Sequence, residues 1–161
     1  MRPDFLLHSS EAQTLYESVA DLPLIDWHNH LSVNDIQQNR RFRTITELWI
    51  TSDPYKHRAM RICGEMESLI TGNADDFDRF AAWSRTLPKL AGNPLYFWSM
   101  MELERVFGIT EPLTEKTART IYEQANEMLG HDDLTAHGLL KSFHVEYAAP
   151  CVGQRFRLSA R

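Results

Sequence analysis

Only two stretches of this chain read as β-strand, and about 110 mostly helical residues separate them, where a simple βα unit takes roughly 30. The first, Leu24-Ile25-Asp26-Trp27-His28-Asn29-His30-Leu31, follows Pro23 as a short apolar run with β-branched and aromatic residues in its first half. That is the pattern of a buried strand. The second is His144-Val145-Glu146-Tyr147-Ala148. Two strands make no independently stable sheet. The spacing therefore leaves two architectures: a helical domain, or the front of a larger α/β fold with a helical insertion after its first strand.

Helix signals fill the rest. Ser10 with Gln13 has the spacing of a capping box, and Ala12, Leu15, Tyr16 and Val19 then share one helical face before Pro23. A short helix is expected from Ser32. Thr44 with Glu47 is a second capping box, leading Ile45, Leu48 and Trp49 into a helix that Ser52-Asp53-Pro54 breaks. Tyr55 to Arg61 is predicted helical, ending by Gly64. Asn73 is the expected cap of a helix with Asp75 and Asp76 in its first turn, Phe77, Phe80, Ala81 and Leu87 on its apolar face, and Pro88 at its end. Asn93-Pro94 places a cap before a proline at the first helical position, and Gly108 closes that helix. Thr114 is expected to open a helix with Ala118, Ile121, Tyr122, Ala125 and Leu129 inside, and a shorter one from Asp133 to Lys141 leads to the second strand. Trp49, Trp83 and Trp98 read as core rather than as platforms for a sugar.

A net charge of −5 argues against nucleic acid, which selects a basic face. No apolar run approaches the 18 or so residues of a membrane helix. The N-terminus, Met1 to His8, is too interrupted for a signal peptide, and Cys63 and Cys151 are lone thiols rather than a disulfide framework. The expected location is the cytoplasm.

The chemistry concentrates at the end of the first strand. Alternation puts Asp26, His28 and His30 on one face and Ile25, Trp27 and Asn29 on the other. Two imidazoles two residues apart, with Cβ atoms roughly 7 Å apart, can converge on one metal at Zn–N distances of about 2.0–2.1 Å. The plainer alternative is a pair of strand histidines satisfied by hydrogen bonds. Judged alone, Tyr55 and Arg58 are helix-surface residues and Arg61 makes a surface ion pair.

Taken in order, several segments resemble the N-terminal part of uronate isomerase, the glucuronate/galacturonate isomerase of the amidohydrolase superfamily. They are Asp26-Trp27-His28-Asn29-His30-Leu31, Leu48-Trp49, Asp53-Pro54-Tyr55-Lys56-His57-Arg58-Ala59-Met60-Arg61, Thr71-Gly72, Asn93-Pro94-Leu95-Tyr96, Glu102-Leu103 and Phe107-Gly108-Ile109. The likeness runs from about residue 4 to residue 147. It implies an α/β fold: the N-terminal fragment of a distorted (β/α)8 TIM barrel of the metal-dependent hydrolase kind, with a large helical insertion at about 33–130. It implies interconversion of D-glucuronate with D-fructuronate and of D-galacturonate with D-tagaturonate. His28 and His30 match the family's metal pair, for a divalent ion, zinc foremost. Tyr55 matches a catalytic tyrosine and Arg58 a substrate-binding arginine, both placed near the sugar. The expected partner is a small-molecule hexuronate, with no nucleotide cofactor, nucleic acid or membrane; a homo-oligomer is compatible with the resemblance.

Pro54 stands where the family usually has His, His57 where it has Trp, and Phe97 where it has His. A full barrel needs about 250 residues, against 161 here, and the segment 150–161, with three arginines and no acid, is unlike the family. The chain is therefore expected to be truncated and weakly active or inactive alone. Two other functions compete: a metal-dependent amidohydrolase, which shares the His-x-His strand, and a non-catalytic remnant or helical interaction module.

Overall fold

The structure, a computed structural model, describes residues 7–150. Its elements run α1 (Ser10–Glu17), β1 (Leu24–Asn29), α2 (Val33–Gln37), α3 (Ile45–Trp49), α4 (Pro54–Ile62), α5 (Glu67–Ile70), α6 (Asp76–Thr86), a 3-10 turn (Leu87–Leu90), α7 (Pro94–Phe107), α8 (Ala118–Leu129), α9 (Ala136–Ser142) and β2 (Val145–Pro150). They form two compact units, one of residues 42–132 and one of the flanking stretches 7–41 and 133–150. The interval 33–141 holds no strand and is mostly helix, as its capping signals predict.

The first unit is helical and is built around α6, which packs against α3, α4, α5 and α8. Its core includes Ile45, Met60, Phe80, Trp83, Leu103 and Ile121, all fully buried. Trp49 and Tyr122 flank Phe80, with ring centroids 6.5 and 5.4 Å away. Polar ties close the ends. Thr44 Oγ1 accepts from Glu47 N (3.1 Å) and donates to Asp76 Oδ2 (2.8 Å), while Asn126 Oδ1 accepts the Ile45 N–H at 2.8 Å. Asn93 caps α7 through its side chain with Pro94 behind it, and Gly108 ends that helix with φ +63°, a left-handed conformation that glycine adopts without strain. Three expectations shift. Asp75, not Asn73, caps α6, because its carboxylate accepts from Phe77 N at 2.9 Å. The helix expected from Thr114 starts at Ala118. Thr114 and Thr117 are held instead in a turn, with Thr117 Oγ1 donating to the Pro112 carbonyl. Trp98 is 54% exposed and is no core residue, whereas Trp49 and Trp83 are buried.

In the second unit β1 and β2 pair in parallel, with Leu24 opposite Val145, Ile25 opposite Tyr147, Asp26 opposite Ala148 and Asn29 opposite Pro150. The register slips between Leu24 and Ile25 and again between Asp26 and Asn29. α9 packs on β2 and α2 packs on α9. An antiparallel bridge joins Arg41 to Thr135, and Ala136 N donates to Arg40 O at 2.9 Å. The chain thus leaves for residues 42–132 and returns at one hydrogen-bonded stem. β1 departs from its expected form in two ways. It ends at Asn29, so His30 lies one residue beyond it, and it is not buried: Ile25 is 67% and Trp27 80% exposed. A parallel strand is buried only where helices or neighbouring strands cover both its faces, and the described residues give β1 one neighbour. α1 likewise starts one residue earlier than its capping pattern suggests, with Ser9 as cap in place of Ser10, and buries none of its residues. Apart from Pro150, which ends β2, the segment 150–161 lies outside the described residues.

Candidate functional site

β1 and the residue after it bring His28 and His30 side by side, with ring centroids 5.4 Å apart and planes at 82°. Both rings are exposed. Two imidazoles bound to one tetrahedral zinc, each with its centroid about 3.2 Å from the metal, would hold their centroids about 5.2 Å apart. The observed separation fits. The local chain is tied by its own side chains. Asp26 Oδ1 accepts from His28 N (3.3 Å), Asp26 Oδ2 accepts from Asn29 Nδ2 (3.0 Å), and Asn29 Oδ1 accepts from Leu31 N (3.1 Å). The contact between Asn29 and Asp26 breaks the strict alternation expected of the strand, at the point where the register slips. Among the described residues no group of three or more His, Cys, Asp or Glu side chains could hold a metal. Two imidazoles alone fall short of the three or four ligands that a zinc site takes.

Tyr55 and Arg58 lie on α4, in the helical unit. Asp53 caps that helix, accepting from Tyr55 N (2.8 Å) and Lys56 N (3.0 Å), and Pro54 occupies its first turn, where a missing N–H costs nothing. Tyr55, Arg58 and Ile62 recur at helical spacing on one exposed stripe, and Lys56, Ala59 and Met60 form the buried one. Arg61 makes the surface ion pair expected of it, a two-pronged contact with Glu67. That contact, with the Thr71 hydroxyl, pulls the Glu67 carboxyl down to about 2. His57, at the family's Trp position, bonds through Nε2 to the Ile50 carbonyl.

A buried charged cluster went unread in the sequence. Lys56 is 7% exposed, pairs with Asp53 Oδ2 at 2.9 Å, and sits 5.5 Å from the Trp49 ring centroid and 5.9 Å from that of Trp83. Burial pushes the Asp53 carboxyl up, but the Lys56 charge and the hydrogen bonds from Lys56 and Tyr55 outweigh it and hold it below its ordinary value. Glu102 is raised, first by burial and further by the negative charge of Asp53, against the pull of Lys56. The available signal was the (i, i+3) pair of a capping acid and a lysine, with that lysine on the stripe of Ala59 and Met60.

Two parallel strands bracketing a helical unit, with paired imidazoles at the carboxyl end of the first, define an α/β chain built like the front of an enzyme domain. The profile of the glucuronate isomerase family matches residues 1–151, and the chain belongs to that family. It is 46% identical over 147 residues to the uronate isomerase of Oceanobacillus iheyensis and 47% identical over 147 residues to that of Caldicellulosiruptor saccharolyticus. Each match takes in 91% of this chain and 31% of the relative. The chain thus spans about a third of the length of these curated relatives. Among solved structures, the uronate isomerase of Thermotoga maritima superposes with a TM-score of 0.88 at 34% identity, over 93% of this chain and 33% of that one. The glucuronate isomerase of Caulobacter crescentus gives 0.85 at 22% identity, which bears on the fold alone. No helix among the described residues is long and apolar enough to cross a membrane.

Proposed function

We propose that this chain carries the N-terminal share of a cytoplasmic aldose–ketose isomerase for hexuronates. In this reading β1 and β2 are the first two strands of a distorted (β/α)8 barrel of the amidohydrolase superfamily, and residues 33–130 are its helical insertion. The observation that carries the reading is the family match along residues 1–151, with the His28 and His30 rings side by side at the end of β1.

The reaction takes an aldehyde at C1 and a hydroxyl at C2 to a hydroxyl at C1 and a ketone at C2. A base removes the C2 proton, an enediol forms, and C1 gains a proton while one moves from O2 to O1. A divalent metal, zinc foremost, would be held here by His28 and His30 and, when bound, supplies positive charge for a developing oxyanion. The Tyr55 phenol can donate to a sugar oxygen or relay a proton between O2 and O1. The Arg58 guanidinium offers a planar fork to the C6 carboxylate, fixing the end of the substrate that does not react. Pro54 offers no polar side chain where the family's histidine stands.

The test is a chimera in which residues 1–147 replace the matched third of the Caldicellulosiruptor saccharolyticus enzyme. It should convert glucuronate to the ketouronate in the presence of zinc, and His28→Ala should abolish the conversion. A folded chimera without turnover would refute the reading. The isolated chain should show little or no turnover, because two imidazoles leave a metal mostly hydrated and readily exchanged.

A further inference from the structure

We infer that Lys56 is a positioning residue for the proposed isomerisation: through Asp53 it fixes the first turn of α4, and with it the place from which the Tyr55 phenol reaches a substrate. The inference rests on the role given to Tyr55 above and adds what holds that side chain in register.

Tyr55 is 59% exposed, so the position of its hydroxyl follows the backbone that carries it. That backbone is held through Asp53. Asp53 Oδ1 accepts the Tyr55 N–H at 2.8 Å and the Lys56 N–H at 3.0 Å, and Asp53 Oδ2 accepts from Lys56 Nζ at 2.9 Å. The lysine side chain is 7% exposed, with its ammonium 5.5 Å from the ring centroid of Trp49 on α3 and 5.9 Å from that of Trp83 on α6. One side chain thus joins the start of α4 to two other helices. The same stretch is tied to the end of α3, where Asp53 N and His57 Nε2 both meet the Ile50 carbonyl, and Pro54 fixes φ in its first turn.

The chemical type of the residue carries the argument further. A buried ion pair adds little stability over well-packed apolar side chains of similar volume. Lys56 shares its stripe with Ala59 and Met60, so an apolar residue would satisfy the packing. What an apolar residue lacks is a grip on the capping carboxylate. With one oxygen on the helix N–H groups and the other on a cation lodged in the core, the Asp53 carboxylate has a single orientation, and the turn it caps has one too. Displacing a reacting group by about 1 Å can cost about a hundredfold in rate, so this accuracy matters at Tyr55. Arg58 stands beside the buried Ala59 and Met60, which hold the body of the helix without the cap.

The experiment replaces the pair together. Lys56→Met alone strands a buried carboxylate, whereas Asp53→Asn with Lys56→Met keeps a competent cap and leaves neither charge unpaired. This double variant of the 161-residue chain should unfold in urea close to its parent. Its Tyr55 amide hydrogen should nevertheless exchange about tenfold faster, while that of the buried Phe80 exchanges as before. Carried in the chimera with the Caldicellulosiruptor saccharolyticus enzyme, it should lower kcat for glucuronate, with zinc present, about tenfold or more, while KM moves by less than about threefold. In a Tyr55→Phe background the same two substitutions should lower kcat no further. Parental kcat in the double variant, a loss that multiplies in full with that of Tyr55→Phe, or a Tyr55 amide that exchanges as in the parent would each overturn the inference. So would a double variant as unstable as Lys56→Met, since the pair would then hold the fold rather than the turn. A chimera inactive before any of these substitutions fails the functional reading alone, and the Tyr55 amide still decides whether Lys56 holds that turn.

Discussion

Replacing Lys56 with methionine should cost the helical unit about 2–3 kcal/mol near neutral pH, and markedly less in mild acid. Removing one partner of a buried ion pair costs about 3–5 kcal/mol, because the other charge is left without compensation. Here the loss is smaller. The Asp53 side chain keeps 26% exposure and retains the backbone N–H groups of Tyr55 and Lys56, and methionine fills much of the space beneath Trp49 and Trp83. The contacts of the ammonium with the two rings, at 5.5 and 5.9 Å, add about 0.5–2 kcal/mol to the loss. The pH dependence follows from the carboxyls. In the parent, Asp53 is held below its ordinary value, so it contributes stability above that value and loses it as pH falls through the folded one. In the variant, burial of Asp53 and Glu102 is no longer opposed by a cation, so both folded values rise, and the fold loses stability as pH increases through them. Both trends widen the gap between parent and variant from about pH 4 to about pH 7. Urea unfolding followed by far-UV circular dichroism at the two pH values measures it. A Lys56→Met protein as stable as its parent at neutral pH, or with a deficit that does not shrink in acid, would refute this account of the cluster.

Two further outcomes are expected. Glu102→Gln should raise the melting temperature at neutral pH and make no difference below the ordinary glutamate range: a carboxyl raised in the fold favours folding only while protonated, so above its folded value the charge weighs against the structure, and a less stable Gln variant at pH 7 would contradict this. Gly138→Ala should destabilise the unit that holds β1 and β2 by about 1–3 kcal/mol, since a Cβ there would lie 1.7 Å from the Asp133 carbonyl oxygen, and hydrogen exchange in α9 and β2 would report the loss.

What could be read ahead of the structure was whatever is encoded locally. Ser32, Thr44 and Asn93 cap where their spacing says they should, because a cap needs only a side-chain oxygen and an N–H two or three residues on. The same locality explains the misses. Asn73 and Asp75 are both competent caps, and only the packing of α6 decides between them. The exposure of β1, α1 and Trp98 could not be inferred from hydrophobicity, which says what a residue would gain by burial but not whether a covering element exists. The His28–His30 pairing followed from the strand period; the Asp26–Asn29 bond that interrupts that period did not, because it depends on a register slip against β2. Lys56 was hidden by its type: a lysine on a helix reads as solvated until its neighbours on the stripe are weighed.

The pairing of Leu24 with Val145, roughly 120 residues later, also sets a schedule for synthesis. At roughly 5–20 residues per second, β1 is made ~6–24 s before its partner exists. Residues 42–132, whose helices draw on nearby chain, emerge in that interval and can fold first. Their folding shortens the remaining search to the stem where Arg41 meets Thr135. The strand that carries His28 and leads into His30 is thus an early product and a late arrival: through that wait Ile25 and Trp27 are open to chaperones and to other nascent chains, and the success of the fold turns on how quickly the helical unit closes behind them.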